Sequence, residues 1–110
     1  MTDFARKRCV PCEGTVEPLS RELAELNLES TPGWHLREDT KLLSREFTFP
    51  DFMAAMAFVD QVADIAEEED HHPDIALSWG KVGISMFTHS VGGLSENDFI
   101  LAVKINGLQN

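Results

Sequence analysis

The sequence predicts an α+β domain: a four-stranded antiparallel sheet with three helices packed on one face, in the order α-β-β-α-β-β-α. Three observations predict it. The apolar spacing alternates between period two and the three-and-four spacing of a helix. Each pair of strand-like runs is joined by a short stretch with turn residues, which implies antiparallel neighbours. No internal repeat at solenoid periods imposes another architecture.

Taken in order, residues 1–18 are polar, hold Cys9, Pro11, Cys12, Gly14 and Pro18, and lack an apolar period. They read as an N-terminal arm with a Cys-x-x-Cys, ahead of a single domain over 19–110. Ser20 is a good N-cap, with Leu19 placed to staple a short helix whose inner face would be Leu23 and Leu26, ending around Asn27 to Thr31. Pro32-Gly33 is a turn. Trp34 and Leu36 then alternate with polar residues, Glu38-Asp39 punctuate, and a second run from Lys41 to Phe49 completes a hairpin in which Phe47 and Phe49 share a face.

From Asp51, Phe52, Ala55, Met56, Val59, Val62, Ala63 and Ala66 recur at helical spacing, with Pro50 at the start. Glu67, Glu68, Glu69 and Asp70 close that helix, although a helix dipole disfavours carboxylates at its C-terminus. Something other than helix stability is favoured there. His71-His72-Pro73 ends the helix. Ile75 and Leu77, a turn at Gly80, and Val82, Ile84 and Met86 form a second hairpin ending near Thr88-His89. Val91-Gly92-Gly93 reads as a flexible connection. Ser95 and Asp98 stand as N-cap and N3 of a capping box, stapled by Leu94 and Phe99, and the last helix draws its inner face from Ala102, Val103, Ile105 and Leu108.

Composition narrows the function. The 110 residues, 43% hydrophobic and 25% charged, suit one globular domain. Nine Lys and Arg against nineteen Asp and Glu give a net charge of −10, which repels phosphate backbones and anionic lipid, so neither nucleic acid nor membrane is an expected partner. No apolar run approaches the roughly 20 residues of a membrane span, and the start of the chain lacks a signal core, so the expected compartment is the cytoplasm. Two cysteines are too few for a disulfide framework or a four-thiolate zinc site. A redox or metal role for them is the minority reading.

The chemistry gathers around His71, His72 and His89. An acidic surround favours the protonated imidazole, and a histidine that changes charge near neutral pH can serve as general acid or base. A lone His-His pair at a helix end reads as a solvated terminus. His89 changes this, because it ends the hairpin that begins just after His72, and a hairpin returns its end to its start. Metal binding is the rival use. Adjacent histidines do not easily share one ion, and the i, i+4 pair of a helical zinc site is absent. His35, in a strand, reads as a surface residue.

The run Glu67-x-x-x-His71-His72-Pro73-Asp74, then Trp79-x-Lys81-Val82, Thr88-His89 and Gly93-Leu94-Ser95-Glu96-x-Asp98, resembles the pterin-4a-carbinolamine dehydratases. Pro32-Gly33-Trp34 and Phe47-x-Phe49-x-Asp51-Phe52 fit the same pattern, and the resemblance covers about Leu19 to Leu108. It implies dehydration of a 4a-hydroxytetrahydropterin to the quinonoid dihydropterin, after an aromatic amino acid hydroxylase has used the tetrahydropterin. No cofactor and no metal are implied. By position, His71 and His89 are the acid/base candidates, His72 chiefly holds substrate, and Glu67 is the supporting acid. Pro73 and Thr88, His89, Ser90 and Val91 fall where the family lines the pterin, and Trp34 could supply an aromatic wall. Asn97 departs from the Arg that many relatives carry between the Glu and Asp of the last cap. The resemblance also implies a homodimer or homotetramer. It leaves two other uses open: an interaction module, as in relatives that are dimerisation partners of a homeodomain transcription factor, or a related pterin activity in molybdopterin metabolism.

Overall fold

The computed structural model describes residues 4–7, 9 and 17–109. Cys12, Pro11 and Gly14 of the arm lie outside the described residues. The elements are α1 (Arg21–Leu28), β1 (His35–Leu36), β2 (Leu43–Thr48), α2 (Phe52–Glu69), β3 (Asp74–Ser78), β4 (Lys81–Met86) and α3 (Glu96–Asn106), with short 3-10 turns at Phe4–Arg6, His89–Val91 and Gly107–Gln109. The expected element order and antiparallel sheet are present.

The strands lie in the order β1-β2-β4-β3, so each hairpin contributes one central and one outer strand. Register fixes the faces. Leu43 pairs with Met86, Arg45 with Ile84 and Phe47 with Val82, and directly opposed residues of an antiparallel pair point the same way. That face is covered by the helices, and Leu43, Phe47, Val82, Ile84 and Met86 are buried there. Arg45 shares it with its guanidinium 4.4 Å from the Phe47 ring centroid and donating to Asn106 Oδ1. In the first hairpin's loop Thr40 takes a positive φ of 64°. The Arg37 hydrogen bonds and the Lys41 backbone N–H hold the Asp39 carboxyl at about 2, below the usual carboxylate range.

Helix α1 presents a face other than the expected one, and α2 buries Ala55, Val62 and Ala66 of the expected set but not all of it. Ser20 caps α1 as predicted, accepting the Leu23 N–H at 3.2 Å, but Ala24 is the residue buried, Leu28 packs beside it, and Leu23 and Leu26 are exposed. A small Ala at the contact lets the helix approach closely, and the i, i+4 pair 24/28 then sets its phase. In α2 the buried stripe is Ala55, Phe58, Val62, Ala66 and Glu69, while Phe52 and Ala63 face outward. Phe58 decides this. Its ring fills the space beside Phe47 and Phe49, at centroid distances of 4.7 and 5.0 Å, and so leaves Phe52 and Ala63 exposed while Val59 packs partly against the core.

The connection before α3 is ordered. Thr88 and Gly93 exchange backbone hydrogen bonds, Val91 is buried, and Gly92 supplies the left-handed φ of 69° that closes the turn. Gly93 passes so near Pro18 that a Cβ there would lie 2.9 Å from the proline side chain. The predicted capping box of α3 is present. That helix is buried on nearly all sides of its first half, through Asn97, Asp98, Phe99, Ile100, Leu101 and Ala102.

Candidate active site

Helix α2 ends where Asp70 adopts a left-handed conformation at φ 53°, and the Asp70 and His71 N–H groups both donate to the Ala66 carbonyl. Aspartate is among the few residues that tolerate this geometry. Residues 71–73 link this turn to β3, and the two histidines point to opposite sides. His71 turns inward and His72 outward. Their side chains are 13% and 54% exposed, respectively.

Inward, His71 meets α3. Its Nε2 lies 2.7 Å from Asp98 Oδ1. The second carboxylate oxygen of Asp98 accepts the Ser95 backbone N–H at 2.9 Å and the Thr88 hydroxyl at 2.7 Å. Because Thr88 donates to a carboxylate, its oxygen is left to accept from Ser95 Oγ, 2.9 Å away. A fully buried carboxylate is thus satisfied on both oxygens and sits at the positive end of α3. It joins three segments: the end of α2, the stretch after β4 and the start of α3.

Outward, His72 Nε2 pairs with Glu67 Oε2 at 2.5 Å, both groups exposed. The acidic run at the end of α2 is therefore not merely solvated, since Glu67 holds a histidine and Glu69 is buried. Pro73 is half-buried beside this pair. His89 and Ser90 are exposed on the 3-10 turn, with the His89 ring edge-on to Phe87 at 4.7 Å. Thr88 and Val91 lie buried beneath them. The structure brings residues 71–73 and 88–91 to the same end of the sheet through Asp98.

Trp34 is not part of this group. It is buried against Phe47, and its Nε1 donates to Asn106 Oδ1 at the other end of α3, eight residues beyond Asp98 and so roughly 12 Å along the helix. The β1–β2 pairing turns its side chain toward the helices, so it serves the core rather than a substrate wall. A hollow of ≈ 480 Å³ on the open sheet face, lined by His35, Ser44, Glu46, Gly83 and Ser85 among others, is also separate from the His71–Asp98 group. We take the latter as the site, because it concentrates oriented titratable groups.

Sequence reasoning gave Asp98 a single duty, that of helix cap. Nothing in the residue string distinguishes a capping carboxylate from one that also holds a histidine, since the partner comes from another element.

The chain matches the profile of the family described as pterin 4 alpha carbinolamine dehydratase over residues 17–108. It is 47% identical to a relative from Halorhodospira halophila over 93% of this chain and 94% of the relative, and 46% identical to one from Chlorobaculum tepidum over 98% and 99%. Both relatives carry the provisional name pterin-4-alpha-carbinolamine dehydratase. Among solved structures, it resembles a transcriptional coactivator/pterin dehydratase from Brucella melitensis, with a TM-score of 0.80, 31% identity, and coverage of 86% of this chain and all of that one. A pterin dehydratase-like protein identified as a RuBisCO assembly factor shares the fold at a TM-score of 0.61 and 22% identity, over 72% of this chain and 92% of that one. With the profile spanning the whole sheet and all three helices, the chain belongs to the pterin 4 alpha carbinolamine dehydratase family.

Proposed function

We propose that the protein dehydrates a 4a-hydroxytetrahydropterin to the quinonoid dihydropterin by histidine acid/base catalysis. Elimination of water from a carbinolamine needs one group to protonate the leaving hydroxyl and another to accept the proton lost from the ring. The observation that carries this reading is the buried Asp98 carboxylate on His71 Nε2. A carboxylate accepts, so His71 carries its proton on Nε2 and leaves the Nδ1 lone pair free, while Asp98 stabilises the imidazolium that forms.

In this reading His71 and His89 transfer the protons, His72 holds substrate with Glu67 orienting its ring, and Pro73, Thr88, Ser90 and Val91 line the pterin. The reaction needs no cofactor. An upstream aromatic amino acid hydroxylase would supply the substrate. A second reading, an interaction module, draws support from the coactivator named for the Brucella melitensis neighbour. A scaffold has no chemical use for an oriented histidine–carboxylate pair, so catalysis is preferred.

The carbinolamine dehydrates spontaneously, so the test is stopped-flow measurement against that background. The protein is expected to accelerate the reaction near neutral pH. A folded protein that leaves the uncatalysed rate unchanged would exclude the enzyme and favour the interaction module.

A further inference from the structure

A buried carboxylate on the last residue of a helix is opposed by the helix dipole and needs compensating partners. Glu69, at the end of α2, is 5% exposed. Its Oε1 accepts the Cys9 backbone N–H at 2.8 Å, and its Oε2 lies 3.3 Å from Lys104 Nζ of α3. Glu69 therefore ties three parts of the chain together, one of them the N-terminal segment.

That segment is fastened elsewhere along the start of α3. Phe4 is 3% exposed and stacks on Phe99, with centroids 6.4 Å apart and planes at 28°. Lys7 pairs with Glu96, and Cys9 Sγ lies 3.5 Å from the Asn97 carbonyl oxygen. These anchors bracket Asp98 on both sides in sequence, and Glu69 stands two residues before His71. The same segment thus grips both backbones that carry the His71–Asp98 pair.

We propose that the segment bearing Phe4, Lys7 and Cys9 is a strap which, through Glu69, holds the end of α2 against the start of α3 and so keeps His71 Nε2 on Asp98. Glu69 and Phe4 are then positioning residues for the reaction proposed above, on which this role rests, and neither touches substrate. Phe4 is a member of the buried core cluster and Cys9 packs against it, although the stretch matching the family profile starts at residue 17. What the strap adds is precision at one junction. A displacement of about 1 Å in a proton-transfer pair can cost roughly a hundredfold in rate, so a clamp at this junction can matter to turnover beyond its share in the fold.

The test uses the full chain with Phe4→Ala, Glu69→Ala and Glu69→Gln, read in two ways. The first is the downfield NMR signal of the His71 ring N–H proton, assigned by its loss in His71→Gln. Phe4→Ala and Glu69→Ala are expected to raise its exchange with water by about tenfold. The second is kinetic: kcat should fall roughly ten- to a hundredfold with KM within about twofold. Glu69→Gln keeps an acceptor for the Cys9 N–H but loses the charge facing Lys104, so it should recover only part of both.

The ring-proton measurement requires no turnover. If the wild-type protein does not accelerate dehydration yet Phe4→Ala still speeds exchange, the reaction is wrong and the strap stands. Unchanged exchange and unchanged kcat in Phe4→Ala overturn the strap, whatever the reaction. Should Glu69→Ala fail to melt cooperatively, Phe4→Ala carries the test. Collapse of the whole fold in Phe4→Ala overturns the proposal as well, because the segment would then hold up the entire domain and not one junction.

Discussion

At the residue scale, the three histidines differ in what surrounds them, and kinetics should separate them accordingly. His71 faces a buried carboxylate, His72 an exposed one, and His89 the edge of a phenyl ring. His71→Ala and His89→Ala are expected to lower kcat by ~10²–10⁴-fold with smaller changes in KM, as loss of a general acid or base does. His72→Ala should chiefly raise KM. The double change at 71 and 89 should fall well short of the product of the single effects if both act in one elimination. Near-normal kinetics in all three variants would place the chemistry elsewhere. Asp98 allows a sharper test, because Asn has nearly its shape. In Asp98→Asn the amide has one acceptor oxygen where the carboxylate had two, so it cannot serve Ser95, Thr88 and His71 together. Stability should drop by about 1–3 kcal/mol in denaturant melts, and kcat by ~10²-fold or more, because the histidine loses the partner that sets its tautomer.

At the scale of elements, α2 shows how a helix with two apolar stripes chooses which to bury. Phe52, Met56, Val59 and Ala63 make a legitimate helical face, and so do Ala55, Phe58, Val62 and Ala66. The second wins because Phe58 is the side chain that fills the gap between Phe47 and Phe49. Phe58→Ala is therefore expected to cost about 3–5 kcal/mol, the range for emptying a buried aromatic site. Met53→Ala, at a position 73% exposed, should stay within about 0.5 kcal/mol. Comparable midpoints for the two variants in denaturant unfolding would mean that α2 sits in the other phase. The acids at its C-terminus belong to this scale too. They work against the helix that carries them, and Glu67 and Glu69 are each compensated from outside α2, by His72 and by Cys9 and Lys104.

For the whole molecule, the sheet ends on one side in β3, a five-residue outer strand whose far edge pairs with no other strand among the described residues. Beside it Ile75 and, at the hairpin tip, Trp79 are exposed. Exposed edges of this kind are stabilised when a second subunit covers them, so a homodimer or homotetramer is expected. Light scattering that finds a monomer at micromolar concentration would count against it. Among the described residues, no helix is long and apolar enough to cross a membrane. Order and type of the elements were legible in the chain itself, because period two, period three-and-four and turn chemistry are local signals: the capping box of α3, the Ser20 cap and the two hairpins all stand where the residues put them. Glu67, His71 and His72 were legible as sequence neighbours at one helix end, but His71 turns to Asp98 while His72 turns to Glu67. Packing decided what local signals could not: the phase of α1 and α2, the removal of Trp34 into the core, the ordering of Val91-Gly92-Gly93, and the second duty of Asp98. Each depends on a partner from a distant segment, as His71 reaches Asp98 across 27 positions and Glu69 reaches Cys9 across 60. A periodic pattern states which face of an element is apolar, but only the other elements determine what that face meets.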